Sequence, residues 1–258
     1  MWPFDKKNKP QVNQQKETSK SVICIPGTWD DWDSFKLSLV SSSEMKYMAI
    51  GSILMDVSQK KHFTIEFCDY DPKMEKSFIV AGKVTRMADI ELAKIGNHTN
   101  VVYISAQTGN LEDAHSIALA ATAILKNGGL GIKIESAGKA FDKDKWFKML
   151  ETFEEENLYE MFVLDSIIDP EGTVYSCGMH NLGFKDTIVS GQEFQAAVNL
   201  ITTFGYYQII DKPTIHNNQT FSKDLNSPKF RITDEQHQPN NGHDLFENPY
   251  GMWRLTKI

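Results

Sequence analysis

The stretch LEDAHSIALAATAILKNGGLGIKI, residues 111–134, carries the reading on which the fold turns. Leu111 to Lys126 is Ala-rich and reads as a helix. Asn127-Gly128-Gly129 is a helix-stop signal, because Gly tolerates the left-handed backbone that closes a helix. Leu130 to Ile134 then reads as a strand. A phosphate-binding loop needs its glycines after a strand and before a helix. Here the order is helix, glycine, strand, so Gly128, Gly129 and Gly131 are read as a cap. Further on, Gly138-Lys139 is followed by Ala140, and position 133 is Lys where a P-loop needs Gly, so that nucleotide motif fails as well.

Working outward, helices and strands alternate. Val22 to Ile25 is a short apolar strand stopped by Pro26-Gly27, and a helix capped by Thr28 or Asp30 follows with Trp32, Phe35, Leu39 and Val40 at helical spacing. Ala49–Val57, His62–Cys68 and Val101–Ile104 read as strands, with a helix over 88–95. Asp142–Glu155 reads as one amphipathic helix. Met161–Ile168 and Thr173–Cys177 read as a hairpin about Asp169-Pro170-Glu171-Gly172. Glu193–Phe204 reads as a helix, Tyr206–Ile210 as a strand, and Met252–Leu255 as a terminal strand. This order predicts an α+β protein of two fused ferredoxin-like (split βαβ) units with mostly antiparallel sheet. The units are expected over 21–106 and 107–211, within a single domain spanning 21–258. A tail over 212–258 is expected to wrap the sheet, and a disordered basic segment is expected over 1–20.

At 258 residues, 41% hydrophobic and 24% charged, the composition is that of a globular protein with a core. No apolar run is long enough to span a bilayer, and the polar stretch Gln11–Lys20 leaves no apolar segment of the signal-peptide kind. Cys24, Cys68 and Cys177 are odd in number and far apart, which predicts reduced thiols and a cytoplasmic protein. The net charge is −7. Residues 1–20 hold five lysines against Asp5 and Glu17, an excess of three, which leaves about −10 on the rest. An acidic body repels phosphate backbones, so no nucleic-acid partner is expected; it suits a basic protein, or serves solubility alone.

Catalytic signatures are sparse. There is no Gly-x-Ser-x-Gly elbow. Cys177 and His180, three residues apart, are the best metal-like spacing, with His237, His243 and Asp244 as distant helpers; zinc needs four ligands, or three and a water. No cofactor is expected. Asp30, Asp31 and Asp33 open the first helix, where they complement its dipole; beside Trp29 they also make a recognition patch, with Trp32 the better core candidate. Glu154, Glu155 and Glu156 fall at the end of the predicted 142–155 helix, where acids oppose the dipole, which favours a binding role for them.

Gly178-Met179-x-x-Leu182-Gly183-x-x-Asp186, then Tyr206-Tyr207, then Asn248-Pro249-Tyr250-Gly251-Met252-Trp253-Arg254-Leu255 resemble the bacterial domain of unknown function 4261 family. The likeness extends over roughly 20–258 and takes in the Gly128-Gly129 strand and the Trp146 helix; Lys185 stands where the pattern has proline. The resemblance implies an accessory protein, of a kind that includes immunity partners of secreted toxins. The expectation is a non-enzymatic module that binds and neutralises a basic protein. A metal-assisted hydrolase and a structural subunit of a secretion-type assembly are the alternatives. Asp186 is expected to cap or to pair with Arg254.

Overall fold

The computed structural model describes residues 19–42, 45–152, 154–239 and 242–258. The Trp2-Pro3-Phe4 start and nearly all of the expected basic tail lie outside the described residues. Among those described, seven α-helices pack on two mostly antiparallel sheets, an α+β arrangement.

The first sheet is built on two nine-residue strands, β1 (Ser19–Gly27) and β5 (Asn100–Thr108), registered end to end from Ser19↔Thr108 to Gly27↔Asn100. Their β-branched runs suit a pleat buried on both faces. The full order is β2 (Tyr47–Ile50), β3 (Ile53–Asp56), β4 (Lys61–Asp69), β5, β1, β6 (Gly131–Ile134), β7 (Lys139–Asp142). On one face lie α1 (Trp32–Ser42) and α4 (Leu111–Lys126). Ala114, Ala118 and Ala121 of α4 are fully buried, which lets that helix approach the sheet closely, and the Asn110 side chain caps it by accepting from Asp113 N at 2.9 Å. On the other face α2 (Met74–Ala81) and α3 (Asp89–Gly96) cover Cys24, Val101 and Ala140.

The second sheet has the order β11 (Thr220–Phe221), β12 (Phe230–Glu235), β13 (Met252–Lys257), β10 (Asp186–Val189), β9 (Val174–Cys177), β8 (Leu164–Ile168), and α7 (Phe194–Tyr206) packs on it. Between the sheets run α5 (Lys143–Leu150), α6 (Glu155–Phe162) and a 3-10 turn at Met179–Leu182. Met161, Phe162, Met179 and Leu182 join the core of the first sheet.

Several expectations need correction. Every pair in the first sheet is antiparallel, and β10–β13 is the parallel pair of the second. Strands β6 and β7, from the stretch assigned to a second unit, join β1 of the first sheet through Ile23↔Ile134 and Cys24↔Lys133. Residues 212–258 supply three strands of the second sheet as well as covering loops. The strand expected at 49–57 is a hairpin, because Gly51 takes φ +57 and reverses the chain. Tyr206–Ile210 is no strand: it closes α7 in a π turn that buries Gln208 and Ile209, so tertiary burial overrides the β-favouring composition. The single helix expected over 142–155 is two, with a break after Leu150 and a restart at Glu155.

Candidate functional site

A cavity of about 860 Å³ lies on the α2 side of the first sheet. Its floor follows from alternation along β6. Ile132 and Ile134 point into the core, so Lys133, and Glu135 just beyond the strand, point the other way. One wall is α2, which presents Met74, Ser77, Val80 and Ala81; opposite stand Leu245 and Phe246, while Val22 of β1 and Tyr103 of β5 complete the lining. Lys133 Nζ donates to Ser77 Oγ at 2.6 Å and pairs with Glu135 Oε2 at 2.9 Å. Both charged side chains are largely shielded, at 14% and 21% exposure, so the pair is stronger than a surface salt bridge. The ammonium keeps one N–H beyond these two contacts, the carboxylate a second oxygen, and the Ser77 hydroxyl its own proton.

Beneath this floor Cys24 Sγ contacts Met74 Sδ at 3.7 Å, and burial pushes its thiol well above the usual range. Burial likewise pushes up the Tyr103 phenol beside it. Neither group is poised as a nucleophile. Ser77 is no better placed, because its hydroxyl accepts from a donor, Lys133 Nζ, and is not bonded to a base.

A smaller cavity of about 240 Å³ shares Leu245 with the groove and is bounded by Lys20, His180, Asp244, Glu247 and Pro249. His180 sits in the 3-10 turn, set off by Gly178 at φ +117 and Gly183 at φ +87. It is 1% exposed, neither ring nitrogen has a hydrogen-bond partner in the protein, and burial draws its pKa down to about 4. Six residues on, Asp186 is also buried. It accepts from Ser176 Oγ (3.0 Å), Met179 N (3.2 Å) and Asn248 Nδ2 (2.6 Å). Desolvation nevertheless outweighs these bonds and pushes the carboxyl up to about 6.

The expected Asp186–Arg254 pair does not form. Asp186 lies opposite Met252 in the β10–β13 ladder, and Arg254 reaches Glu235 Oε2 (2.7 Å) and Ser190 Oγ (3.0 Å). The terminal segment is tied to Asp186 through Asn248, whose amide also donates to Phe184 O at 3.0 Å. The double variant Asp186→Ala/Arg254→Ala should therefore be additive within about 0.5 kcal/mol. Asp186→Ala/Asn248→Ala should show a coupling of about 1 kcal/mol or more, read from urea unfolding. The reverse pattern would restore the Arg254 pairing. Lys185 lies 4.2 Å from the Trp253 ring centroid and ion-pairs with Asp234, a role that proline could not fill.

The recognition residues read from the sequence are scattered. Trp29 is 5% exposed; it packs edge-on against Phe35 and donates to Asn127 O, so it is a core residue. Asp31 caps the first helix by accepting from Ser34 N at 2.7 Å, and Asp33 pairs with Lys36 at 2.7 Å; Asp30 is exposed. Glu154, extended at φ −125, precedes α6, while Glu155 and Glu156 lie in its first turn, where they complement the dipole. These acids therefore favour the start of α6 and do not oppose a helix end, contrary to the sequence expectation. Glu155 also pairs with Lys212 at 2.8 Å. The two acidic groups sit at opposite ends of α4, since Trp29 meets Asn127 and Glu155 shares a cavity with Asn110. Sixteen helical residues separate them, roughly 24 Å.

No three His, Cys, Asp or Glu side chains converge as a metal site among the described residues. Cys177 Sγ contacts Phe246 O at 3.9 Å, and burial raises its thiol pKa. All three cysteines are free thiols, and no helix among the described residues is long and apolar enough to cross a membrane. The groove itself had a partial signal in the sequence, the alternation Ile132-Lys133-Ile134-Glu135; Ser77 and Phe246 had none. Comparison of the chain with protein-family models, curated proteins and solved structures gives no match, so the family resemblance stands on its sequence motif alone.

Proposed function

We propose that the protein is a binding protein and that the groove between α2 and the Leu245–Phe246 segment is where it binds. The carrying observation is the groove floor, where apolar walls meet an ammonium, a carboxylate and a hydroxyl with hydrogen-bonding capacity to spare. Ligand sites are concave, mostly apolar and marked by a few convergent polar groups, and they fall in a volume range of roughly 300–1,000 Å³ that includes this one. The net charge of −7 adds long-range attraction for a basic protein, which favours a neutralising or accessory role. That charge sets encounter, whereas the groove sets contact.

Titration of small apolar fragments (indole, p-cresol, cyclohexanol) into nitrogen-15-labelled protein tests this. Amide shifts are expected to cluster at Val22, Ser77 and Lys133, and to vanish in Val80→Glu, which puts a charge on an exposed groove wall without touching the core. Shifts confined to another surface, or no shifts at all, would sink the groove reading.

A further inference from the structure

We infer that the groove accepts a segment of peptide, with one bulky apolar side chain against Val22, Met74, Val80 and Phe246 and its main-chain amide on Lys133 and Glu135. The inference rests on the groove being the binding site and concerns what fills it. Lys133 and Glu135 neutralise each other at 2.9 Å. A ligand carboxylate brought to the free N–H of Lys133 would lie beside the Glu135 carboxylate, and a ligand ammonium brought to Glu135 would lie beside Lys133. Either charge meets as much repulsion as attraction in a shielded site. A neutral group that both accepts and donates meets neither penalty. The peptide unit is such a group: its C=O accepts from Lys133, and its N–H donates to the free carboxylate oxygen of Glu135. Ser77 Oγ, already accepting from Lys133, keeps a proton for the next carbonyl.

The rim does not alter this balance. Lys73 and Lys76 are exposed and set against Asp71, so solvent screens them. The volume, about 860 Å³, exceeds what one side chain occupies and leaves room for flanking backbone. Met74 and Phe246 suit an apolar anchor of variable shape, since an unbranched thioether adapts and an aromatic face stacks.

Three probes titrated into the full labelled chain decide the matter: acetyl-Ala-Phe-Ala-amide, decanoate and free phenylalanine. The blocked tripeptide is expected to bind in the groove about ten-fold more tightly than either charged probe. Lys133→Met and Glu135→Gln should each weaken it about ten-fold, the loss of one charge-assisted hydrogen bond. Val80→Glu should abolish it, and because Val80 is exposed that variant keeps the fold even if a floor variant does not. Decanoate or phenylalanine binding as tightly as the tripeptide would overturn the inference, as would tripeptide binding indifferent to all three substitutions. If the apolar fragments occupy the groove while the tripeptide does not, the peptide inference alone fails. If the fragments do not occupy it either, the groove reading has failed with it.

Discussion

Replacing His180 with Gln should make the protein lose roughly 3 kcal/mol of stability, relative to the parent, as pH rises from 4 to 6. Replacing Asp186 with Asn should do the opposite and add roughly 3 kcal/mol over the same window. In the unfolded chain His180 titrates near 6.5 and Asp186 near 3.8; folded, they titrate near 4 and near 6. Between pH 4 and 6 the unfolded chain thus holds a proton on the imidazole and none on the carboxyl, while the folded chain holds one on the carboxyl and none on the imidazole. The totals match, so these two groups together give no slope in the parent. With His180 removed, the folded state binds one proton more than the unfolded, and stability falls as pH rises through the Asp186 range. With Asp186 neutralised, the unfolded state binds one proton more, and stability is lost as pH falls from 6.5 toward 4. Urea midpoints measured at intervals across this range, at constant m, provide the check. A variant curve that runs parallel to the parent would mean that the group replaced in it is not desolvated.

Gly183→Ala should cost about 4 kcal/mol or more, among the largest effects of any single methyl group in this chain. The residue lies at φ +87, and an added Cβ would overlap the carbonyl of Gly109, which precedes the α4 cap. Gly109 is itself closely packed, since a Cβ built there would meet the Tyr250 hydroxyl. Two backbones thus touch where the turn before β10 meets the entry to α4, and a methyl group would pry the second sheet's turn off the first sheet's helix. Gly191→Ala is the control. It shares the left-handed backbone, at φ +70, but has open space around it, so it should lose only about 1–2 kcal/mol. Equal losses for the two variants would show that the Gly183–Gly109 approach is not tight. Chemical denaturation of both proteins supplies the comparison.

Much of the local structure was legible in the residue order. The β-branched runs of β1 and β5, the Ala-rich α4 with its glycine stop, and the α7 helix follow from spacing and capping. Other elements were hidden for identifiable reasons. Strand β12 lies in a polar, Asn- and Asp-rich region, and only the β12–β13 ladder, Phe230↔Lys257 through Glu235↔Met252, makes it a strand. Helix α2 follows Asp71-Pro72, which reads as a breaker, and is held by packing under Cys24 and Ala140. The break between α5 and α6 turned the meaning of Glu154–Glu156 around, from acids opposing one helix to acids favouring the next. Trp29 shows the same limit. A tryptophan beside three aspartates reads equally as a surface patch, and its burial is decided by Asn127 and Gly128, about a hundred residues away.

The residue order by itself determined much of the run of helices and strands, the absence of a phosphate loop at 128–131, and the acidic net charge. These rest on interactions within a few residues, or on composition, and both are written directly in the chain. Tertiary structure alone decided which strands pair, which acids meet which helix ends, and how the groove brings Lys133 to Ser77 across 56 positions. It also decided the protonation of His180 and Asp186, the latter bound to Asn248 across 62 positions. Desolvation and cavity shape depend on every segment packed around a group, and no local pattern records them.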